Sequence, residues 1–357
     1  MGLNKRFWKN KRVLVTGHTG FKGSWLCALL NIISVKTYGF SLPPTTNPNL
    51  FSLLKNSINV NSIIGDITDF NSISRAIDEI QPEIIIHMAA QSLVRHSYKF
   101  PIETYKTNVM GTINLFESAK ISKSVRCILN VTSDKCYENK DSNSSFIETD
   151  RLGGNDPYSS SKACSEILTN SYKNSFFSQK DISGNEVGLA SARAGNVIGG
   201  GDWSEDRLIP DYYKAMELNK SLIIRNSKST RPWQYVLEPL LGYLLLVEKL
   251  FVNGKKYSSA WNFGPSNNSQ KTVSWLVSQL SKNSGFKKII FENNNDNFYE
   301  AKFLNLNSQK SITNLNWNQK LDIHESIKKV SDWYKAHQDG KDMGKFTKKQ
   351  IEDFLNV

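Results

Sequence analysis

Two side chains in this sequence have the types and the spacing of an acid–base pair. Tyr158 and Lys162 lie four residues apart, just after an Asp-Pro step typical of a helix start, so they share one helix face. A phenol with an ordinary pKa of about 10 is a poor base at neutral pH, but a neighbouring ammonium stabilises its anion. The pair therefore predicts a general base acting on a hydroxyl group. The alternative is two unrelated residues on the surface of a helix.

Three further polar residues could act beside this pair. Ser133, Asp134 and Lys135 come at the end of an apolar run, residues 126–132, that is predicted to be a buried strand. Ser133 could hydrogen-bond a substrate hydroxyl, while Asp134 and Lys135 form a candidate second acid–base pair. The alternative is a solvated loop. The nearby Tyr–Lys pair favours catalysis, because parallel sheets bind their ligands beyond the carboxyl ends of the strands.

A glycine-rich loop near the N-terminus predicts a dinucleotide site. It joins an apolar run at residues 12–16 to a helical pattern at residues 23–33, with the spacing G-x-x-G-x-x-G. Glycines there allow a tight turn and a close approach of the backbone to a pyrophosphate, which the helix N-terminus attracts. An ordinary glycine-rich turn is the alternative. The loop residues expected to contact the cofactor are Gly17, Thr19, Gly20, Phe21, Lys22 and Gly23.

The amino-acid sequence does not decide between NAD and NADP as the cofactor. Residues 38–41 end the second predicted strand without the usual carboxylate for a ribose and without an Arg for a 2′-phosphate. Asp66 and Ile67 follow the third predicted strand, where the carboxylate could accept from the adenine amino group. Lys162, together with Tyr158, could reach the ribose of the nicotinamide.

Short apolar runs and longer amphipathic stretches alternate through the first half. The runs predicted as strands are residues 12–16, 36–40, 63–64, 83–87, 126–132 and 187–193, and the predicted helices include residues 23–33, 69–80 and 102–119. Strands that are apolar throughout, alternating with helices, predict an α/β fold with a Rossmann-like, doubly wound parallel sheet.

The second half of the sequence does not show this alternation of apolar runs and amphipathic stretches. It contains three successive glycines at 199–201, several Pro and Trp residues, and an Asn-rich stretch at 293–297. We expect a smaller, interleaved C-terminal substrate domain: residues 1–195 would form the cofactor domain, interleaved with part of 225–265, and residues 196–357 the substrate domain. The Lys-rich tail from residue 341 is predicted to be a surface helix with a solvated face.

The composition and charge of the sequence favour some classes of binding partner over others. The chain has 357 residues, 39% of them hydrophobic, and 45 Lys and Arg against 33 Asp and Glu give a net charge of +12. The lysines are scattered and form no basic stripe, so an anionic small molecule is favoured over nucleic acid. The sequence shows neither a membrane-length apolar run nor a signal peptide. Its four cysteines lack metal-ligand spacing, so we expect no metal and reduced thiols in a cytoplasmic protein.

Nearly the whole sequence resembles the extended short-chain dehydrogenase/reductase superfamily and, within it, the CDP-glucose 4,6-dehydratase family. The similar segments are residues 15–25, 87–91, 134–139, 192–203, 206–211 and 231–234. The most specific are Gly-Gly-Asp-Trp at 200–203, Arg-Pro-Trp-Gln at 231–234, and Asp-Lys at 134–135, where dTDP-glucose dehydratases carry Asp-Glu. One departure is Tyr235, where the resemblance leads us to expect His.

The resemblance implies a redox-neutral reaction on CDP-glucose with a tightly held NAD. Tyr158 would take the O4 proton during oxidation at C4, and water would be eliminated across C5 and C6 before hydride returns to C6. Asp134 would protonate the departing C6 hydroxyl, and Lys135 would stand where other dehydratases place a Glu base. Further implied residues are Ala89, Ala90 and Gln91 at the cofactor, and Asn196, Arg207 and Arg231 at the substrate.

The resemblance also implies a homodimer or homotetramer, with the helices at 102–119 and 158–172 at the interface. Two other functions stay open. One is another nucleotide-sugar epimerase or dehydratase of the same superfamily; an epimerase or decarboxylase on this scaffold would share Tyr158 and Lys162 but would not need the Asp134–Lys135 pair. A non-catalytic cofactor-sensing protein would have no reason to keep Ser133, Tyr158 and Lys162 together.

Overall fold

A parallel sheet forms the centre of the computed structural model, which describes residues 2–139, 144–177, 186–292 and 303–356. Seven strands make up this sheet, in the order β11-β6-β5-β4-β1-β2-β3. The strands within the described residues are β1 Arg12–Thr16, β2 Lys36–Ser41, β3 Val60–Ile64, β4 Ile84–His87, β5 Cys127–Val131, β6 Gly188–Ala194, β7 Val197–Ile198, β8 Leu222–Ile224, β9 Thr230–Pro232, β10 Gln234–Tyr235, β11 Ala260–Phe263, β12 Gln270–Thr272 and β13 Ile289–Phe291.

The order of the strands confirms the predicted doubly wound α/β fold. Every neighbouring pair of the seven-stranded sheet is parallel, and β1 lies between β2 and β4. The winding reverses at β1, so the loops after β1 and β4 leave towards opposite faces. This reversal opens a crevice at the carboxyl edge of the sheet, the usual ligand site in such folds.

Successive residues of the central strands belong alternately to two separate hydrophobic cores on opposite faces of the sheet. Val13 and Val15 belong to the larger core, whereas Leu14 between them belongs to the smaller one on the opposite face. Ile84 and Ile86 are divided from Ile85 in the same way, and all of these side chains are buried. Because side chains alternate across a strand, a sheet covered on both faces needs apolar residues at every position, as these strands have.

The helices cover both faces of the sheet. They are α1 Lys5–Trp8, α2 Phe21–Ile32, α3 Leu50–Leu54, α4 Phe70–Ile80, α5 Val94–Lys99, α6 Pro101–Tyr105, α7 Gly111–Ile121, α8 Pro157–Tyr172, α9 Leu208–Glu217, α10 Leu237–Val252, α11 Gly254–Tyr257, α12 Val273–Ser284, α13 Gln309–Leu315, α14 Ile323–Gln338 and α15 Met343–Asn356. The predicted helix at 102–119 is divided: a π-helical turn, Lys106–Met110, joins α6 to α7.

The second half is more regular than the sequence indicated. Helix α10 is buried on nearly all sides, and β11 joins the central sheet as an edge strand beside β6. Neither was predicted, because a helix buried all round has no amphipathic period and β11 has only four residues. The Asn-rich stretch at 293–297 lies outside the described residues.

The C-terminal segment forms a surface helix, as predicted, but only one of its faces is exposed to solvent. Helix α15 packs against α2 and α14, and its Ile351 and Phe354 side chains are buried in the larger core. Its lysines occupy the opposite, exposed face. Nearby, Gly200 lies so close to the Trp333 ring that a Cβ atom would stand 2.1 Å from it, which explains the need for glycine in this part of the chain. Among the described residues, no helix has the length and apolarity to cross a membrane.

Candidate active site

The glycine loop forms a tight cradle between β1 and α2. Gly17 has a φ of +74°, and a Cβ atom there would stand 2.8 Å from the backbone nitrogen of Ala89. A Cβ at Gly23 would stand 2.1 Å from the carbonyl oxygen of Gly17, so only glycine lets α2 begin this close to the strand. The first N–H groups of α2 have no partners within the helix and face the carboxyl edge of the sheet. This cradle fits the pyrophosphate of a dinucleotide.

Neutral groups occupy the position where other dinucleotide sites hold a ribose with a carboxylate. The His18 ring packs against Gly39, where a Cβ atom would lie 2.3 Å from it, and His18 Nε2 is 2.7 Å from Ser62 Oγ. Burial lowers the pKa of His18 to about 4, so the ring is uncharged at neutral pH. Thr19 Oγ1 lies 2.8 Å from Ser41 Oγ. Asp66 is exposed, and its Oδ1 accepts a hydrogen bond of 2.8 Å from the Thr68 N–H.

The segment after β4 is held in place by an asparagine that sequence reasoning missed. Asn108 Oδ1 accepts from the Gln91 N–H at 2.8 Å, and Asn108 Nδ2 donates to the carbonyl of Gln91 and to Ser161 Oγ. Asn108 thereby links the loop containing Ala89 and Ala90 to helix α8, one residue before Lys162. The signal available in the sequence was that Asn108, a polar amide, lies within the apolar helical pattern of residues 102–119. The Gln91 side chain bonds Thr104 and Leu93.

Asp134 and Lys135 lie on a 3-10 turn, Asp134–Cys136, shortly beyond β5, and Ser133 caps this turn. Ser133 Oγ donates to Asp134 Oδ1 at 3.0 Å and accepts from the Lys135 N–H. Asp134 is 3% exposed, and its Oδ2 has no hydrogen-bond partner among the described residues. Burial raises the pKa of Asp134, against the opposing effects of Lys135, Ser133 and Arg231. A buried carboxyl with a raised pKa and a free oxygen can act as a general acid.

Tyr158 and Lys162 occupy the first turns of α8, as predicted. Asp156 caps the helix by accepting from the Ser159 N–H, and Pro157 takes the first helical position. Tyr158 and Lys162 are 8% and 6% exposed, which excludes the alternative of two surface residues. Lys162 Nζ lies 3.4 Å from the carbonyl oxygen of Val131, at the end of β5.

Burial controls the proton affinity of both groups. It raises the pKa of Tyr158 to about 12, although hydrogen bonding to Ser133 lowers it, and it lowers the pKa of Lys162 to about 8, although Glu166 raises it. Tyr158 can become a base at neutral pH only if further positive charge stabilises its anion.

A second lysine and a second tyrosine face the same centre. Lys22, from the glycine loop, points inward, with its Nζ 3.2 Å from the hydroxyl oxygen of Tyr243 on α10. Burial, followed by the charges of Lys162 and Arg207, lowers the pKa of Lys22 to about 7. The glycine pattern indicated Lys22 as a loop residue, whereas Tyr243 was missed, because its position depends on how α10 packs.

The two candidate arginines also approach this centre. Arg207 Nη1 donates to Asp202 Oδ2 at 3.0 Å and Arg207 Nη2 donates to Ser92 Oγ at 2.9 Å. Arg231 is 4% exposed and lies close enough to Asp134 to lower the pKa of that carboxyl. Asn196 lies two residues beyond the end of β6, and its carbonyl oxygen accepts from the Gln234 N–H at 3.0 Å.

A polar cleft opens beside Lys135. The residues that line it are Lys135, Tyr137, Asn139, Gly154, Asn155, Asp156, Ser159 and Leu304. The structure thus brings Ser133, Asp134, Tyr158 and Lys162 to one edge of the sheet, next to the glycine loop. This arrangement can remove a proton from a hydroxyl and deliver another to a leaving group.

Known proteins match the chain along nearly its full length. The family model for GDP-mannose 4,6 dehydratase matches residues 14–330. CDP-glucose 4,6-dehydratase of Salmonella typhimurium is 44% identical over 355 residues, which are 99% of each chain. Human dTDP-D-glucose 4,6-dehydratase is 26% identical over 340 residues, 92% of this chain and 91% of that one.

A solved structure has the same fold. The dTDP-glucose 4,6-dehydratase from Streptomyces venezuelae, solved with NAD bound, superposes with a TM-score of 0.77 at 21% identity and covers 92% of this chain and 98% of its own. This likeness concerns the fold alone. The family match and the full-length relative confirm the resemblance found in the sequence: the chain belongs to the GDP-mannose 4,6 dehydratase family.

Proposed function

We propose that the protein is a hydro-lyase that converts CDP-glucose to CDP-4-keto-6-deoxyglucose with NAD as its cofactor. The observation that carries the proposal is the pairing of two acid–base systems at one sheet edge, Tyr158 with Lys162 and Asp134 with Lys135. A relative identical at 44% of positions bears the name CDP-glucose 4,6-dehydratase, and its length matches that of this chain. An epimerase would use the first pair alone.

NAD fits the cradle formed by Gly17, Gly20 and Gly23, with Lys162 available to its ribose. When bound, it supplies the redox chemistry by accepting the hydride from C4 of the sugar and returning it to C6. The described groups that pair at the end of β2, His18 with Ser62 and Thr19 with Ser41, are neutral, which favours NAD over NADP.

The side chains divide the proton transfers between them. Tyr158, as its phenolate, takes the O4 proton during oxidation at C4, and Ser133 donates to the sugar oxygen. The resulting 4-ketone acidifies the C5–H bond, whose proton goes to Lys135 in its neutral amine form, because an ammonium has no lone pair to accept it. Asp134 delivers its proton to the C6 hydroxyl, which departs as water. After hydride returns to C6, a proton returns to C5, so the reaction has no net redox change.

Arg231, Arg207 and Asn196 are proposed to hold the substrate. A guanidinium matches the geometry of a diphosphate, and Arg231 acts electrostatically on Asp134 and Arg207 on Tyr158. We keep the division into residues 1–195, interleaved with part of 225–265, and residues 196–357. The pairing of β11 with β6 supports the interleaving.

Incubation of the purified protein with CDP-glucose, with and without added NAD, tests the function directly. The expected result is a nucleotide sugar lighter by one water, with no net NADH formed. A reaction without added NAD would mean that the cofactor is retained through purification. Conversion of a different nucleotide sugar, with CDP-glucose unchanged in mass, would contradict the proposed substrate but would keep the role of Tyr158.

We also propose that the protein forms a homodimer or homotetramer through α6, α7 and α8. These neighbouring helices expose apolar side chains, among them Ile102 at 83% and Ile167 at 57%. Replacing both by Lys is expected to shift the protein towards the monomer in sedimentation velocity, because the charges would be buried in the interface. Val252, 78% exposed at the end of α10, gives a matched control when changed to Lys. A wild-type monomer at micromolar concentration would contradict the proposal.

The four cysteines support a reducing, cytoplasmic compartment. All are free thiols, and Cys27, Cys127 and Cys136 are buried. Burial raises the pKa of the Cys27 thiol to about 12, which makes it inert.

A further inference from the structure

A buried ion pair lies directly behind the catalytic groups. Glu166, one helical turn beyond Lys162 on α8, receives two hydrogen bonds from Arg193 of β6, at 2.9 Å to Oε1 and 2.8 Å to Oε2. Both side chains are almost fully buried, at 3% and 4% exposure. Their pairing was not predicted from the sequence, because 27 residues separate them.

The pair is tied to each segment that carries a catalytic residue. Thr132, which precedes Ser133, donates to Glu166 Oε1, and Ser191 Oγ donates to Oε2 at 2.6 Å. Arg193 Nη1 donates to the hydroxyl oxygen of Tyr137, the residue that follows the 3-10 turn of Asp134 and Lys135. The Tyr137 hydroxyl donates in turn to Asn262 Oδ1 on β11. One network thus connects α8, β5, the 3-10 turn, β6 and β11.

Glu166 is the negative charge that faces Lys162. The titratable groups around the ammonium are Glu166 on α8, Cys136 on the 3-10 turn, His87 on β4 and Lys22 on α2. Burial raises the pKa of the Cys136 thiol and lowers that of His87 to about 3, so both are neutral. Lys22 is itself basic, so its positive charge repels the Lys162 ammonium and does not stabilise it. Burial raises the pKa of Glu166, but the charge and hydrogen bonds of Arg193 outweigh it and keep the carboxylate ionised.

We propose that Glu166 is a positioning residue of this active site: Arg193, Ser191 and Thr132 hold its carboxylate where it fixes the Lys162 face of α8 and keeps the Lys162 ammonium charged. Of the two charges in this pair, Glu166 is the one that acts on Lys162, because its carboxylate raises the pKa of that ammonium. A charged Lys162 is what allows Tyr158 to lose its proton. The consequence for turnover rests on the proposed function, whereas the effect on the charge of Lys162 does not.

The test removes the pair without leaving an unpaired charge in the interior. Replacing Glu166 alone would strand a buried guanidinium and threaten folding, so the principal variant is Glu166→Gln with Arg193→Met. The titration of Lys162 is followed by NMR of protein with ¹³C-labelled lysine ε-carbons, and the Lys162 signal is assigned by its loss in Lys162→Met. The midpoint is expected to fall by about one pH unit in the double variant.

A matched control separates electrostatics from packing. Ser191→Ala removes one hydrogen bond to Glu166 but leaves its charge and its pairing with Arg193, so the Lys162 midpoint is expected to stay at the wild-type value. Glu166→Gln with Arg193→Gln also removes both charges and offers a second route to a lowered midpoint if the first double variant does not fold. An unchanged midpoint in whichever of these two variants folds would overturn the proposal.

Turnover gives an independent readout. The falling, alkaline limb of kcat/KM against pH is expected to move to lower pH in the double variant, in step with the NMR midpoint, and to stay in place in Ser191→Ala. A shifted NMR midpoint in a protein that does not dehydrate CDP-glucose would retain the role of Glu166 and contradict the proposed function. A purely structural pair would change thermal unfolding while both pH readouts kept their wild-type values.

Discussion

Replacing Tyr158 by Phe is expected to lower the turnover of CDP-glucose by a factor of about 10²–10⁴, the usual contribution of a general base. Phe fills the same buried volume but cannot take the O4 proton, so oxidation at C4 should stop. Thermal unfolding and CDP-glucose binding, measured by calorimetry, should change little, because one hydroxyl hydrogen bond contributes only about 1 kcal/mol to stability. The loss should appear in kcat, with KM nearly unchanged.

Tyr213→Phe provides the control for this experiment. Tyr213 is buried on α9, and its hydroxyl lies 3.1 Å from Ser331 Oγ, so the change also removes one buried tyrosine hydroxyl. Turnover should stay within twofold of wild type. Turnover in Tyr158→Phe at the level of this control would remove Tyr158 from the mechanism, whatever the fate of the other assignments.

The prediction for Tyr158→Phe depends on the pKa of the Tyr158 hydroxyl. In the protein alone, burial raises that pKa to about 12, so the phenol stays protonated at neutral pH. The Lys162 ammonium and the positive nicotinium ring of bound NAD would both favour the phenolate. The site is therefore expected to become basic only when the cofactor is present, so that Tyr158 does not carry an unneeded buried charge in its absence.

Local patterns were enough to predict where the main candidate catalytic residues lie in the fold. Tyr158 and Lys162 share a face because they are four apart on a helix, and Ser133 lies at the sheet edge because a buried strand ends just before it. The glycine turn at Gly17 could be predicted for the same reason, because the strand, the loop and the helix follow each other within a few residues. Each of these inferences depends on neighbours in sequence, where spacing determines geometry.

The residues that were missed depend on contacts between distant segments. Tyr243 reaches Lys22 only because α10 is buried under the sheet, and a helix buried all round shows no periodic signal. Asn108 acts from a π-helical turn that interrupts an otherwise ordinary helical pattern. The bidentate pair of Glu166 and Arg193 forms across the α8–β6 contact. No local spacing encodes these contacts, so only the folded chain reveals them.

Replacing Asp134 by Asn is expected to block elimination after oxidation has taken place. Asn fills the same space but cannot deliver a proton to the C6 hydroxyl, so formation of the 4-keto-6-deoxy sugar should slow by a factor of about 10²–10⁴. Oxidation at C4 depends on Tyr158 and should survive, so the reduced form of the bound cofactor should accumulate and be visible by its near-ultraviolet absorbance. Because burial raises the pKa of Asp134, the acid form persists to higher pH than for an exposed Asp, and wild-type elimination should decline as pH rises through that raised value.

Lys135→Met should also stall after oxidation, and solvent deuterium separates the two variants. With Asp134→Asn, Lys135 can still remove the C5 proton and return a deuteron, so CDP-glucose recovered from D₂O should carry deuterium at C5. With Lys135→Met, the C5 proton should stay in place, and the recovered substrate should be unlabelled. Labelling in both variants would remove Lys135 as the C5 base, whereas wild-type elimination in Asp134→Asn would remove Asp134 as the acid. The 3-10 turn places both groups on adjacent residues, so only the isotope distinguishes proton removal at C5 from proton delivery at C6.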